Sequence, residues 1–324
     1  MRGIVRVWTG SRWGRNPNPP IPTLGIAAAG NLEVSGTARL VVAGDPTPPS
    51  GWPDATNTGI TGVGLTTTDL ANTAVVRTSA RWEGGTVTSN TATQSNGQVF
   101  YRVYFNGCNI DVNHDDVEFR ECYIKGPSGS TASYMIDTRD QTADGSRARF
   151  YDCTILGTPV AGSPSHQGLL GTGQYELYRC DIGPGGNDCL KAHHRVYAEY
   201  TYLHDPHRNF DGAHSDCVQS NGTGTLSEAG EVYFYRCSIN GPYLQTNAAW
   251  QCNATSYLKA IARECRFSGG NYTIRFGGTY MQSGSGLFDN VIDQDSYTLG
   301  WKQTVAGGTY TISGNTLEDG TPVG

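Results

Sequence analysis

The amino-acid sequence predicts an all-β protein: a single-stranded right-handed parallel β-helix over residues 51–324, behind a small N-terminal β/extended segment over residues 1–50. Three observations predict it. The chain of 324 residues holds 43 Gly and only 16% charged residues, and its many Thr, Ser, Asn and Tyr favour turns and strands over helices. From about Val99 a degenerate unit recurs: an apolar residue, two variable positions, Cys or Asn, one variable position, a second apolar residue. The nine Cys are odd in number, and most sit in that unit, so they read as a file of small buried side chains rather than as disulfides.

The elements follow in chain order. Val5–Trp13 alternates apolar residues around a Thr-Gly step and predicts a short hairpin. Asn16–Pro22 (NPNPPIP) is a stiff extended linker, because Pro fixes φ and donates no backbone hydrogen bond. Leu32–Val42 predicts another strand pair, and Asp45–Pro53 a second Pro-rich joint. Two Trp in so short a segment point to burial against something, such as another chain. Gly84–Asn96 reads as a surface turn or rung loop.

The repeat is then seen as Phe105–Cys108–Ile110, Phe119–Cys122–Ile124, Phe150–Cys153–Ile155, Leu177–Cys180–Ile182, Phe234–Cys237–Ile239 and Ala262–Cys265–Phe267. Leu287–Asn290–Ile292 and Ile312–Asn315–Leu317 put Asn in the Cys position, and Ala198–Thr201–Leu203 fills the remaining gap. Intervals along that column are 14, 31, 27, 21, 36, 28, 25 and 25 residues. Each unit is one rung of a stack, since a coil of short strands buries its apolar face only against another coil. Cys189 in NDCLKA and Cys217 in SDCVQS form a second column, each after an Asp.

Charge excludes some functions. A net charge of −6 leaves no cationic surface for nucleic acid. There is no run of eighteen apolar residues to insert into a membrane, and no apolar signal-peptide core follows the N-terminal Arg residues. No Cys/His spacing suits zinc, and no cofactor is predicted. The insertion over Tyr123–Gly145, with Asp137, Arg139, Asp140 and Asp144, reads as solvated loop charge in preference to a calcium site.

The chemistry-bearing residues concentrate in one place. Five of the seven His fall within His193–His214, with Asp188, Lys191, Arg195, Asp205, Arg208, Asp211, Asp216 and Gln219 in or beside that span. The rung arrangement puts Lys191 and His193 on one strand, Asp216 and Gln219 on the corresponding strand of the next, and the loop over His204–His214 above both. A polar groove along the coil is expected. If the groove is catalytic, the acids, bases and nucleophiles are to be found among Asp188, Lys191, His193, Asp205, His207, Asp211, His214 and Asp216. A lyase base would be Lys191 or His207, and the two carboxylates of a hydrolase would come from Asp188, Asp211 and Asp216. Glycan contacts without turnover fall to Arg195, His204, Arg208 and Gln219. The bland alternative is that each Asp before an inward Cys caps a turn and the loop His and Asp only order the insertion.

The Cys/Asn column with its following Ile or Val, together with NDCLKA and SDCVQS, resembles the pectate-lyase-like right-handed parallel β-helix superfamily over roughly Gly51–Gly314. That superfamily includes polysaccharide lyases, hydrolases and epimerases, and Tyr202, Asp205 and His207 partly match the Asp-Pro-His element of mannuronan epimerases. The opening VRVWTGSRW (Val5–Trp13) and the segment GWPDATNTG (Gly51–Gly59) resemble minor tail proteins of phages that infect actinobacteria. The resemblance implies a virion tail component made in the host cytoplasm without a signal peptide. Its N-terminal segment would anchor to other tail proteins and its β-helix would contact a host cell-surface glycan. It also implies a homotrimer, with a leader-capped monomer as the alternative.

Overall fold

The computed structural model describes residues 6–8, 39–41, 51–71, 76–77, 81–88, 95–128, 132–138, 147–159, 166–207, 215–222, 229–241, 248–293 and 299–323. The chain divides into two units, Met1–Gly51 and Trp52–Gly324. In the first unit, Arg6–Trp8 pairs antiparallel with Arg39–Val41. This strand's described partner comes from the Leu32–Val42 segment, while the second half of the expected hairpin over Val5–Trp13, residues 9–13, lies outside the described residues.

The second unit is the right-handed parallel β-helix. Among the described residues, successive coils supply strands to sheet A (eleven, counting an antiparallel first one), then to sheet B (ten), then to sheet C (eight). Sheet A begins with an antiparallel pair, Val76–Arg77 with Arg81–Glu83, and is parallel from there on. The apolar members of each strand stack in register. Phe100, Phe119, Phe150 and Leu177 succeed one another in sheet A, and Phe105, Ile124, Ile155 and Ile182 in sheet B. Phe119 and Phe150 lie 4.7 Å apart and 6° from parallel. Such stacking is what a solenoid offers in place of a folded-over core.

Between sheets A and B the chain turns on one residue in the left-handed region. Arg102, Glu121, Asp152, Arg179, Tyr200, Arg236, Glu264 and Asp289 all have φ near +50°, a conformation that costs non-Gly residues free energy and persists because each rung fixes its neighbours. Outward charge at this corner is balanced down the stack, as in Arg102–Glu121 at 2.7 Å and Arg179–Asp152 at 2.7 Å.

The next residue of each rung is the expected inward column. All nine Cys are free and buried. The Cys122 amide donates to Cys153 Sγ, that of Cys265 to Asn290 Oδ1 at 2.9 Å, and that of Asn290 to Asn315 Oδ1 at 3.0 Å. Asn290 Nδ2 also donates to Asn315 Oδ1 at 2.8 Å, which completes an amide ladder. Thr201 takes its place, accepting from the Cys180 amide.

One member is corrected. Phe105 is in register with Ile124, not with Phe119, so the first rung is Phe100–Val103–Phe105, and Val103 opens the column. Cys108 lies past the sheet B strand, where its thiol donates to the Val87 carbonyl at 3.3 Å. The pattern matched because Phe105–Cys108–Ile110 straddles the next corner and repeats the same apolar spacing. The coil also begins earlier than Val99, with Arg81–Glu83, and Thr86–Val87 from the presumed loop Gly84–Asn96 is the first strand of sheet B. Residues 52–71 lie along the outside of sheet B: Gly59 donates to the Arg179 carbonyl and Ile60 to Thr154 Oγ1.

Candidate functional site

Sheet C carries the candidate site, because its strands end where the coil is most polar. Leu190, Val218, Trp250 and Ile274 are in register and point inward. Side chains alternate along a strand, so the residues one step on point outward. They form the file Lys191, Gln219, Gln251, Arg275, Gln303, in which rungs repeat at about 4.8 Å. Lys191 Nζ donates to Gln219 Oε1 at 2.7 Å.

Behind the head of this file lie two stacked acids. Asp188 and Asp216 precede Cys189 and Cys217, whose shared column is as expected: the Cys189 amide donates to the Cys217 carbonyl. Neither carboxyl has any exposed surface. Asp188 accepts the Asp216 amide at 2.8 Å, and Asp216 accepts the Ala248 amide at 3.0 Å. Asp188 also meets the Lys191 ammonium, while Asp216 Oδ2 has no partner. Burial raises Asp188 against the pull of Lys191. Burial, reinforced by the neighbouring Asp188, pushes Asp216 well above the carboxylate range. Of the two, Asp216 is the one whose acid form burial and its like-charged neighbour favour, and Asp188 is the one with a cation beside it. The two Asp do cap backbone amides, those of the following rung rather than of their own turn.

His193 stands two residues past Lys191, beyond the strand end, and not on the strand with Lys191 as expected. Burial and the nearby Lys191 lower it to about 4 against a hydrogen bond that it gives to Gln219, so it is neutral at pH 7.

The rest of the predicted constellation is spread round the coil. Arg195 opens the sheet A strand Arg195–Glu199, in register with Glu231. His204 lies outside sheet B, with Nε2 at 2.9 Å from Asp181 and Nδ1 at 2.9 Å from Asp205, and its ring is stacked 4.2 Å from Tyr202. Burial alone would depress it, yet the two carboxylates raise it to about 9. His207 donates its amide to the Gly186 carbonyl, and its own carbonyl accepts from Ser215 Oγ; burial lowers its imidazole. Arg208, Asp211 and His214 lie outside the described residues, as do Arg139, Asp140 and Asp144. Among the described residues no three metal-ligating groups converge, and no helix is long and apolar enough to cross a membrane.

Sequence reasoning missed Gln251, Arg275 and Gln303, which the register alone places above Gln219. It also missed Asp181, the partner of His204. The available signal was arithmetic: the steps from Lys191 to Gln219, Gln251, Arg275 and Gln303 are 28, 32, 24 and 28 residues, close to the rung lengths.

The fold and this face together define a parallel β-helix solenoid with a polar lateral ladder. No family model matches the chain, and no curated protein or solved structure matches it.

Proposed function

We propose that the chain is a recognition protein of a phage tail, whose N-terminal segment docks on other tail proteins and whose sheet C face contacts a host cell-surface glycan. The observation that carries the recognition reading is the outward file Lys191–Gln219–Gln251–Arg275–Gln303. Amides and cations on a rigid, flat, evenly spaced scaffold offer both donors and acceptors to the hydroxyls of an extended sugar chain, at little entropic cost to the protein. The tail assignment rests on the resemblance of Val5–Trp13 and Gly51–Gly59 to minor tail proteins. Binding is favoured over turnover because Asp188 and Asp216 are sealed from solvent and three of their four oxygens are engaged within the stack.

The test is a panel of host envelope glycans titrated against the purified chain. Binding without chain shortening is expected, weakened about tenfold by the pair Gln219→Ala and Gln251→Ala, which removes two hydrogen-bonding groups. The appearance of unsaturated or shortened sugar, abolished in Asp216→Asn, would replace this reading with that of a polysaccharide lyase, hydrolase or epimerase.

A further inference from the structure

Arginines on the coil's outer surface are consistently neutralised. Arg102 pairs with Glu121, Arg147 with Asp116 and Glu176, Arg179 with Asp152, and Arg236 with Glu264. Among the described residues Arg195 and Arg275 break the rule, each with its Nε buried and unpartnered; Arg195 opens a sheet A strand, and only Arg275 lies on the polar file of sheet C. It sits at the middle of a six-residue strand, Tyr272–Gly277, it is half-buried, and it has no ion-pair or hydrogen-bond partner among the described residues; its Nε is buried without one. Its neighbours above and below in the file are neutral amides, Gln251 and Gln303. The carboxyl that feels its charge is Asp216, which burial shifts toward its acid form and which makes no ion pair with it. A second buried polar atom on the same strand, Thr273 Oγ1, is also unpartnered.

A half-buried guanidinium without an acceptor forfeits the water it gave up and gains nothing from the protein. Buried unsatisfied groups of this kind call for an explanation, and an absent ligand is one. The planar fork of Arg suits the oxyanions of carboxylate, sulfate and phosphate, which it binds with two parallel hydrogen bonds.

We propose that Arg275 is the anchor for an oxyanion carried by the bound glycan, with Gln251 and Gln303 holding the sugar on either side. The proposal rests on the recognition reading above and narrows it to an acidic glycan. Lys191, three rungs away or roughly 14 Å, is already paired with Asp188 and is not a second anchor. The charge contact is therefore single and fixes where along the chain the ligand stops.

The experiment has two arms. In the first, calorimetry compares a uronic-acid oligosaccharide with its carboxyl-reduced, neutral counterpart. The acidic oligomer should bind at least tenfold more tightly and lose that advantage in Arg275→Gln, while Arg275→Lys keeps part of it and Arg263→Gln, on sheet A, keeps all of it. Equal binding of the two oligomers, with Arg275→Gln without effect, overturns the anchor and leaves glycan recognition standing. In the second arm, the Arg275 Nε–Hε nuclear magnetic resonance signal is followed during titration with inorganic phosphate and sulfate. If neither oligomer binds, the recognition reading fails. The anchor then stands only if that signal shifts saturably at millimolar anion, and it falls if the signal is unmoved or drifts linearly as for an adventitious ion only.

Discussion

Two columns of polar side chains run up the coil, and they solve the same problem differently. At the corner between sheets A and B the file ends in Asn290 and Asn315, whose amides donate to the Ala262 and Leu287 carbonyls and accept backbone N–H groups from the rung below. Every polar atom there has a partner and none is charged. At the start of sheet C the same backbone duty falls to Asp188 and Asp216. A carboxylate accepts but cannot donate, so that column needs Lys191 beside Asp188, shifts Asp216 toward its acid form, and still leaves Asp216 Oδ2 bare. An amide would do the structural work at lower cost. Among the described residues, the stacked pair of acids that caps backbone amides of the next rung lies at the face that also carries the polar file.

Exchanging the two solutions gives the largest effect. Asn290→Asp puts a carboxylate where no cation waits and removes the donors to Ala262 and Asn315. A loss on the order of 5 kcal/mol is expected at pH 7, the upper range for an unpaired buried charge. Most of it should return near pH 4, where the acid is protonated. A urea titration at the two pH values checks both, and a pH-independent loss would mean that volume rather than charge decides.

The acid column breaks from the other side. Lys191→Met strands the Asp188 carboxylate, and a destabilisation of about 3 kcal/mol is expected, because removing one member of a buried pair leaves the other uncompensated. Adding Asp188→Asn should restore most of it, since the Asn Oδ1 still accepts the Asp216 amide. If the double variant is no more stable than the single one, Asp188 carries no charge in the fold.

The A/B corner was legible in the sequence because its requirements repeat at every rung: one small inward side chain after a bend, then a large apolar one. That period alone also admitted Cys108, since Phe105–Cys108–Ile110 has the right spacing at the wrong corner. Only pairing register tells corners apart. The His193–His214 cluster misled for a geometric reason. Its 22 residues make up about one turn, and one turn visits all three faces, so Arg195 belongs to sheet A, His204 to sheet B and Gln219 to sheet C. The true file on sheet C runs across turns, where no two members lie within twenty residues of each other. Asp188 and Asp216 were found because each is tied by sequence to a Cys that marks the register.

The acid side of the stability profile tests the neutral partners of the acid column. His193 and His166 both sit near 4 in the fold, lowered by burial, against about 6.5 when unfolded. A group depressed in the folded state leaves the unfolded chain binding more protons between these values, so stability falls as pH drops from about 6.5 to 4. Each contributes a loss of up to about 3 kcal/mol. His193→Gln should flatten its share of that slope, measured as Tm against pH, and an unchanged slope would show His193 to be solvated. His204 acts in the opposite sense. Raised to about 9 by Asp181 and Asp205 despite its burial, it stabilises fully below about 6.5 and loses that contribution as pH rises through 9.

The smallest effect is the most discriminating. Burial and the neighbouring Asp188 raise Asp216 well above its ordinary value in the fold, whereas the unfolded chain ionises it above about pH 4, so folding takes up protons and its cost grows as pH rises. Asp216→Asn keeps the acceptor for the Ala248 amide and needs no proton. The variant should match the native chain near pH 4 and exceed it in stability at pH 7, by a margin that widens as pH rises, because burial and Asp188 hold the native acid well above its ordinary value. The gain would mark Asp216 as a carboxyl that the stack holds at a cost in stability. A loss of stability at pH 7 would mean that the carboxyl is ionised and paired, and the contrast between the two columns would reduce to a choice of capping residue.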